Sequence, residues 1–574
     1  MSCPHTEDGF IIVTPKSLTT VVVATVVALG TVGVIMYYTL SGASKSRGEY
    51  LVDSQHGLVK TVMGRTITEY LGVKYAKVLS KSDRFAPSDI LEYQREMNLS
   101  SRPPCPQLPW SPIPTLLKIK SHSTDDCLRL NIWRPGQASI RCKPKPVVVV
   151  FHGGRFQYGG GGTYLYYDGQ FMAATWDVVV VTPAYRVGVL GFLNAQTADA
   201  PGNAGLTDQV NALRWVHRYI DQFGGDRDRV TLLGEEAGAA SVGYHLIHQQ
   251  TSTLFQKAIL LSGSPFMPVP DNSGATALLN ANSLAEILGC EVGEEGLQDL
   301  RLRQEMVACL RRRTPLAAVN AGKKLSSSSD RALFGPTLSE GYRWKRGETA
   351  KTMKPLDILI GYTKSEGTSY VTEAMNIFEL PANQLLSATK MVSMLRKFLD
   401  MYGIKDSSEI IQYYGYNNLT FASKLGVLLI EEVAVALGDF FVYCPVMYFL
   451  EEVSREGSRV FFYEFTYSPN YKWWGSWLGV PQFLDYVFAT GFLDIISESA
   501  AVHENDKILA QDMAKMFAGF VKTGNPNTLP NVLWQRWKAS ASTPLKMDYA
   551  ANGEYNHDPQ YRYRNECDMW RNYL

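Results

Sequence analysis

The sequence predicts one large α/β domain, with a mostly parallel central sheet covered by helices on both faces, behind a single N-terminal transmembrane helix. Short β-branched runs with the length of buried strands recur at residues 147–151, 178–182, 230–234 and 258–262. Apolar residues with helical spacing fill 205–223, between two of these runs. Because strands that alternate with helices form parallel sheets buried on both faces, one large domain is favoured over several small ones.

The transmembrane helix is predicted from residues 18–40, which contain no charged side chain. As a helix this stretch is about 34 Å long, enough to cross a hydrocarbon layer of about 30 Å. The alternative is a cleaved signal peptide, with the small residues 41–44 as the cleavage region. The anchor is favoured because the apolar stretch is long for a signal peptide and follows an acidic pair. The predicted organisation is therefore a cytoplasmic tail, an anchor, a linker and an outer domain, at 1–17, 18–40, 41–49 and 50–574.

Signals for the orientation of this anchor disagree. Lys45 and Arg47 follow the stretch and only Lys16 lies close before it, which by the positive-inside rule places the C-terminal side in the cytoplasm. The sequons at Asn98 and Asn418 and the disulfide-like cysteine spacings instead indicate the lumenal or outer side. Long folded domains cross membranes with little regard to nearby charge. We therefore expect a single-pass type II plasma-membrane protein with an extracellular domain, or, after cleavage, a secreted one.

Composition excludes one class of partner. Lys+Arg total 56 and Asp+Glu 55, a formal net charge of +1, whereas nucleic-acid binding favours a basic face. Hydrophobic residues make up 45% of the chain and charged residues 19%, as in a folded protein with a large core. The serine-rich residues 323–330 are predicted to form a solvated loop. No metal or cofactor is expected.

Several motifs appear in the order that one enzyme family uses. They are DCLRLNIW at 126–133, HGGRF at 152–156, YRVGVLGF at 185–192, the long segment 201–242 and GNPN at 524–527. Together they closely resemble the type-B carboxylesterases and cholinesterases. The resemblance covers residues 50–574 and implies the α/β-hydrolase fold for that whole region.

The resemblance also implies where acyl-transfer chemistry belongs. In this fold a G-x-S-x-G turn between a strand and a helix exposes a serine nucleophile. The matching turn here is GEEAG at 234–238, so Glu236 stands at the serine position. A carboxylate there cannot form an ordinary acyl-ester intermediate.

The other members of the triad are implied by two later segments. A histidine must accept the serine proton and an acid must orient that histidine. The family's histidine segment resembles GVPQ at 479–482, where Gln482 cannot accept a proton near neutral pH. The family's acid matches Glu366, which then has no histidine to orient.

The oxyanion donors are implied to be the backbone N–H groups of Gly154, Arg155 and Ala237. Arg155 replaces a glycine of the family motif, and its side chain is expected to crowd the oxyanion hole. Glu235, Glu236 and Glu366 are expected to crowd three carboxylates into one cleft, which is costly. We hypothesise a buried or half-buried ion pair between Arg155 and Glu236, with a guanidinium within about 5 Å of the carboxylate. The alternative is two unrelated solvated side chains.

A carboxylate nucleophile is the remaining hydrolytic alternative, since some α/β hydrolases use an aspartate at the elbow. That mechanism needs a histidine to activate water against the covalent ester. The candidates are poor bases. His503 is expected at a surface helix start, His152 is expected to pack within the oxyanion segment, and His245 and His248 follow the elbow on its helix.

The resemblance further implies three disulfides, Cys105–Cys127, Cys290–Cys309 and Cys444–Cys567. Each is expected to stabilise the fold by about 2–4 kcal/mol. Cys3 is expected to be cytoplasmic and reduced. Cys142 is left over, either buried and inert or available for an intermolecular bond.

The predicted function is binding rather than catalysis. Neurotactin, glutactin, gliotactin and the neuroligins are relatives without a complete triad that act in cell contact, so a protein ligand, and in some members a homodimer, is implied. The alternatives are residual hydrolysis and the transport of a small molecule bound in the gorge, the deep cleft that holds the active site in the family's enzymes. Choline esters are not expected as ligands, because 117–123 lacks the tryptophan that binds choline in cholinesterases. Trp473, Trp474 and Trp477 suit a partner surface, a gorge rim or the core.

Overall fold

A computed structural model provides the structure of the 574-residue chain. It describes the short strands Ile11–Ile12 and Leu51–Val52 and most of residues 57–574. Within 57–574 the description omits 78–82, 94–103, 108–123, 137–142, 162–166, 271, 329–333, 339–340, 350–352, 378–387, 417–425, 470–471, 473, 475, 494–501, 531, 539–543, 549–554 and 556–564. The sequons at Asn98 and Asn418, Cys3, Cys142 and the apolar stretch 18–40 therefore lie outside the described residues.

A 12-stranded sheet forms the centre of the domain. The strands of the chain are β1 (Ile11–Ile12), β2 (Leu51–Val52), β3 (Leu58–Val62), β4 (Arg65–Lys74), β5 (Ala76–Lys77), β6 (Asp89–Ile90), β7 (Arg129–Pro135), β8 (Lys145–Phe151), β9 (Val179–Pro183), β10 (Asn194–Thr197), β11 (Ala200–Pro201), β12 (Gly225–Glu235), β13 (Lys257–Leu261), β14 (Asp357–Thr363), β15 (Arg459–Phe465) and β16 (Leu545–Met547). The order across the sheet is β1-β2-β3-β4-β7-β9-β8-β12-β13-β14-β15-β16. From β9 to β16 all neighbouring strands are parallel, and the first strands are antiparallel.

Helices occupy the connections between these strands. They are α1 (Gln170–Trp176), α2 (Gly188–Phe192), α3 (Ala204–Tyr219), α4 (Ala237–Ile247), α5 (Gly274–Ile287), α6 (Gly293–Gly296), α7 (Leu300–Arg312), α8 (Pro315–Ser328), α9 (Gly367–Ile377), α10 (Ala388–Asp400), α11 (Ser408–Tyr413), α12 (Gly426–Gly438), α13 (Cys444–Arg455), α14 (Leu484–Ala489), α15 (Glu504–Thr523) and α16 (Glu566–Trp570). A π-helix, Asp439–Tyr443, joins α12 to α13 without a break.

The core lies on both faces of the sheet, as the strand pattern requires. Val147 and Val149 of β8 pack in one hydrophobic cluster, whereas Val148 and Val150 pack in the other. Successive side chains of a strand point to opposite faces, so a strand buried on both faces reads as a continuous apolar run. This is why the valine run predicts an interior strand of a parallel sheet.

The predicted strands and the α/β-hydrolase architecture are confirmed. The four β-branched runs form β8, β9, β12 and β13, and the helical spacing forms α3 with a short 3-10 extension. The solvated loop predicted over 323–330 is wrong, because α8 continues to Ser328. Leu325 and Ser326 are buried, and the Ser326 hydroxyl donates to the Gly322 carbonyl one turn earlier, which satisfies the polar group inside a helix.

The three implied disulfides are present. Cys105–Cys127, Cys290–Cys309 and Cys444–Cys567 are each bonded. The last one fastens α16 to the start of α13, where the Tyr448 hydroxyl also donates to the Cys567 carbonyl. The C-terminal segment is thereby held against the body of the domain.

One described helical run is long and apolar enough to cross a membrane. It spans Glu431–Arg455, and an 18-residue window within it has a mean hydropathy of 1.8 and is 94% buried within the protein. Because it packs inside the domain, it is a core helix. The strand β1, which precedes the apolar stretch 18–40, pairs antiparallel with β2, which follows it.

Candidate functional site

The centre of the site is the sharp turn between β12 and α4. Glu236 lies at this turn with φ 52° and ψ −112°, a backbone conformation that residues other than glycine rarely adopt. Its backbone N–H donates to the Leu261 carbonyl of the neighbouring strand β13, at 2.9 Å. The strained turn lifts the side chain out of the sheet at the carboxyl end of the strand, which is the geometry of a nucleophile elbow.

The flanking glycines make this turn possible. A Cβ atom on Gly234 would overlap the Gly238 carbonyl, and one on Gly238 would overlap the Phe151 carbonyl. Backbone therefore packs directly on backbone at both positions, and no larger residue fits. The structure confirms that the elbow geometry accompanies the GEEAG sequence.

The Glu236 carboxylate lies in the nest of backbone donors opposite the elbow. Its Oε2 atom accepts hydrogen bonds from the N–H groups of Gly154, at 3.0 Å, and Arg155, at 2.8 Å. These are two of the three positions that the resemblance implies as oxyanion donors. The side chain at the elbow thus occupies the place in which a hydrolase would hold a developing oxyanion.

The hypothesised ion pair is confirmed. The Nε atom of Arg155 lies 4.0 Å from Oε1 of Glu236, and both side chains are buried, with 7% and 4% exposed. The guanidinium also lies over the ring of Tyr370, with its central carbon 3.6 Å from the ring centroid. The Arg155 side chain lies between Tyr370 and Glu236, beside the carboxylate that accepts from the backbone donors. That it crowds the oxyanion hole stays a prediction.

Glu366 lies at the start of α9 and is completely buried. Its Oε1 atom accepts from the hydroxyl of Ser262, at 2.6 Å, and from the N–H and hydroxyl of Thr363, at 2.6 and 3.1 Å. Its Oε2 atom has no hydrogen-bond partner in the part of the chain that the structure describes. Burial, together with the nearby charge of Asp485, raises the pKa of Glu366 to about 8.

Two further carboxylates share this region. Glu235 is buried, and burial together with Glu236 raises its pKa well above the ordinary value. Its Oε2 atom accepts from the Tyr167 hydroxyl, at 3.1 Å, and that hydroxyl accepts from the N–H of Gly153, at 2.9 Å. Asp485 of α14 accepts from the Tyr463 hydroxyl, at 2.6 Å, and burial raises its pKa to about 6. The predicted crowding of carboxylates is present and includes a fourth member.

Gln482 lies beside these groups, in the loop before α14. It interacts with Tyr370 and lines a small cavity above the elbow together with Glu236, Arg155 and Phe483. The cavity bounded by the described residues has a volume of about 70 Å³. Pockets that enclose a drug-sized ligand are commonly about 300–1,000 Å³, so this space suits only a very small molecule or a few waters.

The histidines near the elbow are held in structural roles. His152 stacks on Tyr185 with ring centroids 4.1 Å apart, and burial lowers its pKa to about 4. His245 contacts the Gln209 amide oxygen, at 3.0 Å, and burial lowers its pKa to about 3. His503 is exposed and caps α15 by accepting from the Asn505 N–H, as its sequence context predicts. A base with so low a pKa gives little driving force for proton abstraction at neutral pH.

Sequence reasoning missed three contributors to the site: Asp485, Tyr167 and Tyr370. Asp485 follows Gln482 by only three residues, so its position in the sequence could have indicated that it lies near the site. Tyr370 lies four residues after Glu366 in the segment SEGTSY at 365–370, but nothing in the sequence shows that its ring contacts Arg155. Of the three tryptophans, Trp474 donates to the Gly479 carbonyl, at 3.1 Å, and Trp473 lies outside the described residues.

The sheet order, the elbow and the opposing backbone donors define an α/β hydrolase. The model of the carboxylesterase family matches residues 56–570. The acetylcholinesterase of Bungarus fasciatus is 31% identical over 497 residues, which cover 83% of this chain and 79% of that relative. Acetylcholinesterase-1 of Trittame loki is 30% identical over 542 residues, which cover 91% of this chain and 93% of that relative. The chain therefore belongs to the carboxylesterase family.

Proposed function

We propose that this protein is a catalytically inactive, cholinesterase-like member of the family that works by binding. The observation that carries the proposal is the Glu236 carboxylate, which accepts hydrogen bonds from the backbone of Gly154 and Arg155 at 3.0 and 2.8 Å. An ester carbonyl must reach these donors for its tetrahedral intermediate to be stabilised. A carboxylate already bound there competes with the substrate for the same hydrogen bonds.

Two further positions support the loss of catalysis. Gln482 stands where the resemblance places the histidine, and an amide does not act as a general base near neutral pH. Glu366 bonds Ser262 and Thr363 through one oxygen, without a histidine among these partners. Removal of the nucleophile or base alone costs about 10⁶-fold in kcat in a serine hydrolase. The combined changes leave no efficient route to acyl transfer.

The proposed biological role is cell adhesion or receptor binding through an extracellular domain. Support comes from the relatives without a complete triad that act in cell contact, and from three disulfides, which persist in oxidising compartments. The partner is proposed to be a protein, with a homodimer as one form of the interaction. Nucleic acid is not proposed, given the formal net charge of +1.

Membrane anchoring through residues 18–40 is part of the proposal. A single crossing by this stretch would put β1 and β2 on opposite sides of the bilayer, so the β1–β2 pair and the anchor are alternatives. Alkaline extraction of membranes from cells that express the full-length protein distinguishes the anchored form from the form with the β1–β2 pair. The anchored protein should stay in the membrane pellet, and glycosidase treatment should lower its mass. The Asn98→Gln/Asn418→Gln double variant should also stay in the pellet but should not lose mass. A protein in the medium that begins near residues 41–44 would show that the signal-peptide alternative is correct.

A hydrolase with a glutamate nucleophile is the second candidate. It is favoured by one observation: Glu236 occupies the elbow with the strained backbone of a nucleophile, at φ 52°. In that mechanism the carboxylate attacks the acyl carbon of an ester, the acyl–oxygen bond breaks, and the alcohol leaves with a proton from water. The anhydride that remains must then be hydrolysed by a second water, which releases the acid and restores the Glu236 carboxylate. The weak basicity of His152 and His245 stands against this second step.

An esterase assay distinguishes the two candidates. The full-length protein and its Glu236→Ala variant are compared on a reactive short-chain aryl ester, with a complete acetylcholinesterase as the positive control. We expect equal, background-level rates in both proteins. Turnover by the natural chain that disappears in Glu236→Ala would instead make Glu236 a nucleophile and would overturn the proposal.

A further inference from the structure

Three successive residues of the segment opposite the elbow have positive φ angles. These are Gly154 at 105°, Arg155 at 55° and Phe156 at 60°. Glycine adopts this region readily, but arginine and phenylalanine do so only where the surroundings hold them. Successive N–H groups in such a turn converge on one point and create a concave anion-binding nest.

The point of convergence is occupied by the chain itself. Oε2 of Glu236 lies 3.0 Å from the N–H nitrogen of Gly154 and 2.8 Å from that of Arg155. Oε1 faces the Arg155 guanidinium at 4.0 Å. One carboxylate thus meets two backbone donors and one cation, and both charged residues are buried, at 3% and 8% exposure. Hydrogen bonds with an ionised acceptor are about twice as strong as neutral ones.

We propose that residues 154–156 and the Arg155 guanidinium form a site for a small carboxylate anion, and that the Glu236 side chain is its permanent internal ligand. In this arrangement the bound carboxylate keeps Arg155 and Phe156 in their left-handed conformation. The inference goes beyond the proposed function, because it concerns anion binding and makes no claim about turnover.

The proposal has a direct consequence for a chain without the Glu236 carboxylate. Truncation at position 236 leaves two backbone donors and a guanidinium facing a cavity that already measures about 70 Å³. Formate or acetate fits this space and offers the same charge and the same pair of oxygens. Either anion should therefore restore what the truncation removes.

The test is chemical rescue of the full-length Glu236→Ala variant. Thermal unfolding is followed with sodium formate or acetate up to 100 mM, at ionic strength held constant with sodium chloride. We expect the melting temperature of Glu236→Ala to lie below that of the natural chain. We expect it to rise by about 1–2 °C with either anion, since a ligand that binds only the native state stabilises it. Acetamide, a neutral molecule of the same shape as acetate, should give no rise.

Two controls separate this effect from general salt stabilisation. The natural chain and Glu236→Gln should not respond, because a side-chain oxygen still fills the nest in both. The exposed Glu305→Ala substitution on α7 removes a carboxylate elsewhere and should also give no response. If Glu236→Ala does not accumulate as folded protein, its refolding yield against acetate concentration replaces the melting temperature.

Rescue of Glu236→Ala by formate and acetate alone would support the anion site. An absent response, or an equal response in the natural chain or to acetamide, would overturn it. Because the measurement reports binding and stability, it stays informative whichever way the esterase assay of the proposed function comes out.

Discussion

Arg155 and Glu236 meet twice: the backbone N–H of Arg155 donates to Glu236 at 2.8 Å, and the Arg155 guanidinium lies 4.0 Å from the other carboxylate oxygen. The pair joins the segment after β8 to the turn after β12, two elements 81 residues apart in sequence. Removal of one member of a buried ion pair takes away the counter-charge of the other, which is destabilising.

The first prediction concerns this dependence. Arg155→Met keeps a flexible, unbranched side chain but removes its charge, and Glu236→Gln keeps an acceptor oxygen but removes the carboxylate. Each single variant should lower the free energy of unfolding by about 1–3 kcal/mol, because it leaves a buried charge without its counterpart. The double variant should lose less than the sum, by about 1 kcal/mol or more. Urea unfolding of the four proteins measures this coupling, and strictly additive losses would show that the two side chains do not interact.

The second prediction is a fall in stability as the pH rises. The pKa of Glu366 is about 8 in the folded protein, against an ordinary value of 4.5, so the folded state holds this proton more tightly than the unfolded state. The stabilisation is therefore complete below about pH 4.5 and is lost as the pH rises to about 8, with a slope of up to about 1.4 kcal/mol per pH unit. Glu366→Gln, which keeps an acceptor for Ser262 and Thr363, should flatten this slope.

Urea midpoints at several values of pH between 5 and 8 provide the measurement for this second prediction. Asp485 and Glu235 also have raised pKa values, so they contribute in the same direction and part of the slope should persist in the variant. Glu305→Gln serves as the matched control, since this carboxylate is exposed. An unchanged slope in Glu366→Gln would mean that Glu366 is not the group that titrates.

The third prediction compares two disulfides. Cys444–Cys567 closes a separation of 123 residues, whereas Cys290–Cys309 closes one of 19. In the chain-entropy account a longer loop loses more disorder on cross-linking, so replacement of the first pair by alanine should cost about 4–5 kcal/mol and that of the second about 3. Denaturant unfolding of the two paired variants provides the comparison. A greater loss from the shorter loop would contradict this account.

The fourth prediction concerns the acyl-transfer chemistry that the proposed function takes to be absent. Because the elbow backbone and its glycines are present, Glu236→Ser combined with Gln482→His should recreate a serine and a base near Glu366. Freed of the Glu236 carboxylate, the backbone donors of Gly154 and Arg155 become available to an oxyanion. We expect hydrolysis of a reactive aryl ester to exceed background by about 10-fold or more, well below the roughly 10⁶-fold that a complete triad supplies.

The single substitutions are the controls for this restoration. Glu236→Ser alone lacks a base and Gln482→His alone lacks a nucleophile, so each should stay at background. Adding Arg155→Gly should raise the rate further, since it returns flexibility and space to the oxyanion segment. Activity in Gln482→His alone would instead indicate that Glu236 itself attacks the ester.

Much of the fold follows from local patterns. The valine run of β8 predicts a strand buried on both faces, and the glycines at 234 and 238 predict a tight turn, because these patterns act over a few neighbouring residues. The composition of the serine-rich end of α8 predicts a loop. The structure differs because Leu325 and Ser326 are buried, which the local composition does not reveal.

The contents of the site were only partly predictable. The pairing of Arg155 with Glu236 follows from the motifs that place both at the same cleft. The position of the Arg155 side chain does not, since it depends on Tyr370, which lies 3.6 Å from the guanidinium but on α9. The role of Tyr167 as a bridge between Gly153 and Glu235 also arises only when the chain is folded.

The sequence determined the motifs of the family and the glycines of the elbow, and its resemblance to the family implied the three disulfides and the residues that stand at the triad positions. Only the tertiary structure decided that the Glu236 carboxylate accepts from the backbone N–H groups of Gly154 and Arg155. It also decided that burial, together with the nearby charge of Asp485, raises the pKa values of Glu235 and Glu366. The physical reason is the distance along the chain over which each interaction acts. Strand and turn preferences are local, whereas hydrogen bonds and charge interactions in a buried cleft depend on distances that the sheet order sets between residues far apart in the chain.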